Sequence, residues 1–193
     1  AAQAGRRALK IAVLQLLTRR DGGKLAASAY ARARSMTEEI GALAALLDIH
    51  QGQAELTSFA ARWGRDANVM DKWYALQVAT AEPGDAATVA ATLIQTPGFD
   101  WKNPNRFRTV IGALAANHAG FHHRTGAGYK LVADWLLKLD PLNPQTAARV
   151  STAFETWPDT MEVKELKHKM AGSECRREWP LMRPIAADTC IAI

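Results

Sequence analysis

Residues 103–136 read NPNRFRTVIGALAANHAGFHHRTGAGYKLVADWL. Asn103 stands at the N-cap of a helix, where its side chain can accept the first free backbone N–H groups. Pro104 follows at the first helical position, where a missing N–H costs nothing. Behind them Phe107, Val110, Ile111 and Leu114 recur at i, i+3, i+4 and i+7, which places them on one apolar stripe. A turn at Gly126 and Gly128 follows, and then Val132, Trp135, Leu136 and Leu139 form a second stripe. The spacing predicts two helices joined by a short turn and packed antiparallel.

The same unit recurs along the chain. Leu9, Ala12, Val13 and Leu16 form a stripe that ends at Asp21-Gly22-Gly23, and a short alanine-rich helix is expected over Lys24 to Arg34. Ser35 stands three residues before Glu38, the spacing of a capping box, with Ile40, Leu43, Ala44 and Leu47 as the stripe behind it. Residues 51–63 and 66–79 make another pair around Gly64, the second rich in bulk through Met70, Trp73, Tyr74 and Leu76. Ala86, Val89, Ala90 and Leu93 give the next stripe, closed by Pro97-Gly98. Asn143-Pro144 repeats the start signal for a helix with Ala147, Val150 and Phe154 inside, and a further helix is expected after Pro158.

Strand patterns are almost absent. About nine or ten short helices in succession, joined by tight turns, stack into a superhelical α-solenoid more readily than they close into one bundle. The expected fold class is therefore all-α, a solenoid of short antiparallel helices. No fixed sequence period names a repeat class. Residues 1–170 read as this helical domain, whereas 171–193, with two prolines, both cysteines and no sustained stripe, do not belong to the pattern. A disordered terminus, a non-native end and a docked arm all fit that tail.

Composition narrows the function classes. Of 193 residues 48% are hydrophobic, enough for a substantial core, and 24 Lys plus Arg against 19 Asp plus Glu give a net charge of only +5. That excess is mild beside the concentrated basic face of a nucleic-acid binder, so none is expected as a partner. Cys175 and Cys190 leave residues 1–174 to fold without a disulfide or a cysteine metal site, which fits a reducing, cytoplasmic setting. No apolar run approaches the ~20 residues that span a bilayer, so no membrane partner is expected. The first residue is not methionine, which fits both terminal processing and a piece of a longer chain.

Catalytic chemistry is hard to find. There is no HExxH for zinc, no GxSxG elbow and no GxxxxGK[ST] phosphate loop. His118 and His122 share i, i+4 spacing, but Gly120 interrupts the segment and no carboxylate follows within reach, so the reading is an exposed inter-helix turn. Basic residues around aromatics in RWGR (62–65) and NRFR (105–108) read as solvated arginines beside a buried ring. Two polar sets stand out. Gln145 and Arg149 lie i, i+4 on the face opposite Ala147 and could jointly engage a carboxylate or a peptide carbonyl. Arg106 and Arg108 flank Phe107 and leave the core face on either side. On physics alone an ordinary solvated surface is the default for each set.

The blocks VMDKWYALQVAT (69–80) and NPNRFRTV through NPQTAARV (103–150), with ALKIAVLQLL (8–17) and SMTEEIGALAAL (35–46), closely resemble the C-terminal domain of bacterial aminopeptidase N, in the zinc metallopeptidase family. The resemblance covers approximately residues 5–165 and stops in the tail. It implies a superhelical domain that closes over a catalytic domain of the same full-length chain, inactive alone and lining the cavity that receives peptide substrates. The zinc, the HExxH and the catalytic machinery would belong to that other domain, so catalytic residues, metal ligands and cofactors are expected to be none in this chain. The NPQxxxR element carries over onto Asn143, Pro144, Gln145 and Arg149, and NPNRxR onto Arg106 and Arg108, as cavity-lining positions. On the residues alone, a free-standing helical-repeat module that binds a protein or peptide is the alternative.

Overall fold

The computed structural model describes residues 2–156. Among them there are helices and no strand, in the order α1 (Ala2–Asp21), α2 (Lys24–Ala31), α3 (Met36–Leu47), α4 (Gln53–Trp63), α5 (Ala67–Ala79), α6 (Ala86–Ile94), α7 (Pro104–Phe107), a π turn (Arg108–Gly112), α8 (Ala113–Ala116), α9 (His118–Phe121), α10 (Ala127–Leu139) and α11 (Pro144–Ser151), followed by a 3-10 turn (Thr152–Thr156). The helix expected after Pro158 and the tail from 171 lie outside the described residues.

The predicted boundaries come from local chemistry. Asn103 accepts from the N–H groups of Asn105 and Arg106, Asn143 from that of Thr146, and Asp66 from those of Asn68 and Val69. Gly126 adopts a φ of 68°, a left-handed turn that starts α10 without a steric cost. The capping box at Ser35 forms by halves. Ser35 accepts from the Glu38 N–H, while the Glu38 carboxylate accepts from the Arg34 N–H, one residue earlier than the box requires, and also from Lys10.

Packing runs between sequence neighbours over the first helices and between more distant elements from α5 onward. α1, α2 and α3 pack on one another, α3 on α4 and α5, α5 on α6 and α8, and α10 on α6, α8 and α11. Among the described residues the buried apolar side chains fall into three clusters strung along the chain. The first is small, Ala26, Ala45 and Leu46 with Leu14 beside them; the second holds Leu43, Leu56, Phe59 and Val69. The third runs from Tyr74 to Phe154 and contains Phe107, Val110, Ile111, Leu114, Val132, Leu136, Leu139, Ala147 and Val150. Trp73 packs against both the second and the third and links them.

Three expectations need correction. The α1 stripe of Leu9, Val13 and Leu16 is not the packed face: these residues are 66%, 44% and 69% exposed. Ile11, Leu14 and Thr18 turn inward instead, because α1 carries apolar residues on two faces and α2 and α3 cover only one. The helix that opens at Pro104 does not keep α pitch either, and a π turn spans Arg108–Gly112 while Phe107, Val110, Ile111 and Leu114 all remain fully buried. Finally, Gly120 and Gly128 are not breakers. The break falls at Asn117, whose side chain accepts from the Gly120 N–H and donates to the Val78 carbonyl. Gly120 is buried where a Cβ would stand 2.5 Å from the Ala86 Cβ, and one on Gly128 would stand 3.0 Å from the backbone of Gly120 and Phe121. Both glycines let helices approach closely.

Candidate functional site

Two Asn-Pro starts organise the polar end of the third cluster. α11 packs against the 108–112 turn as well as α10, so the two predicted polar sets stand on adjacent elements. Gln145 and Arg149 are exposed, and Ala147 between them is fully buried, as the helical spacing requires. Neither forms an ion pair among the described residues. Their polar groups face outward without an internal partner among the described residues.

The two arginines around Phe107 have different fates. Arg106 turns back into the fold: its Nε lies 3.1 Å from Asp71 Oδ1, with side-chain exposures of 13% and 22%, and its guanidinium sits 4.8 Å from the centre of the Tyr74 ring. It also donates to the Ala67 carbonyl, so it fastens α7 to α5 rather than leaving the core face. Arg108 is half-buried and folds along its own helix, donating from Nε to the Pro104 carbonyl and from Nη2 to Asn105 Oδ1. Its charge has no acidic partner among the described residues. Sequence alone gave the two arginines equal standing, since Asp71 lies far from both along the chain.

The histidine segment is a packed corner. The rings of His118 and His122 stack with centroids 6.0 Å apart and 4° between planes, and His122 Nδ1 lies 2.7 Å from the Tyr129 hydroxyl. Burial, and then the neighbouring His118, hold the His122 imidazole below its ordinary pKa, while burial raises that of the Tyr129 phenol. Among the described residues no group of three or more His, Cys, Asp or Glu could hold a metal ion, so these side chains do not fit a zinc site.

Sequence reasoning missed a second feature at this end. Trp101, in the loop before Asn103, meets Trp135 of α10 edge to face with centroids 5.7 Å apart. Lys138 Nζ lies 4.3 Å from the Trp135 ring and 5.9 Å from that of Trp101, and Lys102 Nζ lies 5.9 Å from Trp101. The legible signal was the position of Trp101 two residues before a helix cap. A separate groove of about 510 Å³ crosses α1, α3, α5 and α8, with Ile11, Ile40, Ala75 and Leu76 in its wall and Lys72 as its charged residue. None of the four predicted polar residues lines it.

A helical array of this kind is an ARM-repeat domain, and residues 1–171 match the family described as "Domain of unknown function (DUF3458_C) ARM repeats", to which this chain belongs. Its relatives include Aminopeptidase N of Caulobacter vibrioides, 38% identical over 163 residues, which cover 81% of this chain and 19% of that protein. Aminopeptidase N of Haemophilus influenzae is 38% identical over 136 residues, covering 67% of this chain and 15% of that protein. The crystal structure of Legionella pneumophila aminopeptidase A in complex with aspartic acid aligns with a TM-score of 0.76 and 29% identity, over 87% of this chain and 21% of that one. Together they support this chain as the C-terminal domain of an aminopeptidase N. The chain spans about a fifth or less of the length of the proteins it matches. No helix among the described residues is long and apolar enough to cross a membrane.

Proposed function

We propose that this chain serves a zinc-dependent, cytoplasmic aminopeptidase that releases N-terminal residues from peptides. In it the helical domain caps the catalytic domain of the same longer chain and lines the substrate cavity. Zinc, bound elsewhere in the parent, would supply the water activation, and the residues described here contribute position and charge. The observation that carries this reading is the match to aminopeptidase N over four fifths of the chain. Two structural facts support it. The α1 stripe of Leu9, Val13 and Leu16 offers apolar surface for the rest of the parent to cover. Gln145 presents its amide and Arg149 and Arg108 present charges that no acidic side chain pairs among the described residues, while Arg106 serves the fold.

The test is Arg149→Ala in a full-length enzyme that carries this domain. The expected result is a raised KM for tripeptides and longer substrates, with zinc content and turnover of a single-residue alanyl anilide unchanged. Identical kinetics on di-, tri- and tetrapeptides would remove Arg149 from the cavity.

A further inference from the structure

The described tryptophans divide into two kinds. Trp63 donates its indole N–H to Glu39 and Trp73 donates to the Leu56 carbonyl, so both spend that group inside the fold. Trp101 and Trp135 are half-buried, and among the described residues neither indole N–H has an acceptor. Lys138 and Lys102 lie over these two rings and form no ion pair among the described residues. The exposed carboxylates nearest in sequence are Asp100 and Asp134. Asp100 Oδ1 accepts from the Lys102 backbone N–H, and Asp134 precedes Trp135 without pairing to Lys138. Leu142, 59% exposed, stands in the turn that follows α10.

The platform therefore combines apolar ring surface, two N–H donors and two cations. Its location adds to this. The Trp101–Trp135 contact ties the loop that opens α7 to the helix that leads into α11, the segments that carry Arg108 and Gln145 with Arg149. We propose that Trp101, Trp135, Lys102 and Lys138 form a subsite for the carboxyl-terminal end of a peptide. An apolar or aromatic last side chain rests on the rings, and the free carboxylate takes the indole N–H groups and the ammonium charge of Lys138. A single-stranded nucleic acid also stacks on aromatics, but it needs a continuous basic track for its phosphates, whereas this platform offers two lysines with the exposed Asp100 and Asp134 close to them in sequence. The proposal rests on the reading that peptides pass this end of the domain, and it adds which end of the peptide is held.

The experiment titrates the 15N-labelled 193-residue chain with the tetrapeptide Ala-Ala-Ala-Phe and follows the indole N–H resonances, assigned with Trp101→Phe and Trp135→Phe. Those of Trp101 and Trp135 should move saturably, while those of Trp63 and Trp73 stay in place and report an intact fold. The C-terminal amide of the same peptide, and Lys138→Met with the free acid, should each bind about fivefold more weakly, and Lys138→Arg should restore binding. Unmoved Trp101 and Trp135 resonances, equal binding of acid and amide, or a response to oligothymidylate with none to the peptide would each overturn the subsite. In the full-length enzyme Lys138→Met should raise KM for the tetrapeptide acid and leave that for the alanyl anilide unchanged, and equal KM values for the acid in the two enzymes count against it. A null result for Arg149→Ala beside moving indole resonances would remove Arg149 alone. The reverse pattern would remove only the subsite.

Discussion

Arg106 and Asp71 form an ion pair in the body of the domain, with Nε 3.1 Å from Oδ1, and Asp71 Oδ1 is shut off from solvent without a well-aligned hydrogen bond. Charge rather than hydrogen-bond geometry holds the contact, and removing one partner strands the other. Arg106→Met should lower stability to urea by about 1–3 kcal/mol, whereas Arg108→Met, which leaves no buried charge behind, should stay within roughly 0.5 kcal/mol. The double variant Arg106→Met with Asp71→Leu should cost less than the sum of its singles. Additive costs would show that the pair is not coupled.

His122 makes stability depend on pH. Its folded-state pKa is lowered by burial and by His118 from the ordinary 6.5, so at mildly acidic pH the unfolded chain takes up a proton that the folded chain resists. The stability it contributes is fully present above about 6.5 and is lost as pH falls through the lowered folded-state pKa. Urea midpoints between pH 8 and 5 should fall for the native sequence and fall less for His122→Gln. Parallel profiles for the two would place the acid sensitivity elsewhere.

The exposed face of α1 gives a prediction that depends on context. Leu16→Lys in this chain should change stability by no more than roughly 0.5 kcal/mol and should reduce self-association, since Leu16 is 69% exposed. In the full-length enzyme the same change should lower the melting temperature by several degrees, because a lysine would then be set against apolar surface. Equal behaviour in both settings would leave that face without a partner in the parent.

What the sequence disclosed and withheld follows from the range of the interactions. Asn103, Asn143 and Asp66 act within three residues, so the helix starts could be read directly. The face of α1 could not, because periodicity shows which residues are apolar but not which neighbour arrives, and this helix has two candidate stripes. The π turn at Arg108–Gly112 leaves the same buried set, Phe107, Val110, Ile111 and Leu114, that an α-helix would leave, so the pattern carries no mark of it. Gly120 and Gly128 look like breakers because a glycine that ends a helix and a glycine that admits a neighbour are the same letter. In the candidate site, the outward Gln145 and Arg149 followed from spacing, while the capture of Arg106 by Asp71 and the meeting of Trp101 with Trp135 are tertiary events between distant segments.

The division of the interior into three clusters bears on how the molecule comes apart. The first helices touch chiefly their sequence neighbours and so close few long loops, whereas α5, α6, α8, α10 and α11 are tied to one another across intervening elements, so the N-terminal end can be lost piecemeal. The small first cluster, Ala26, Ala45 and Leu46, joins the second through α2 and α3, which carry Tyr30 and Leu43, and among the described residues Trp73 packs against both the second and the third. Amide exchange should therefore run in a gradient, fastest in α1 and α2 and slowest in α10, with the end that carries Gln145 and Arg149 retained longest. Unzipping would begin at the face that the parent chain is proposed to cover, so that assembly and folding of this end are one event.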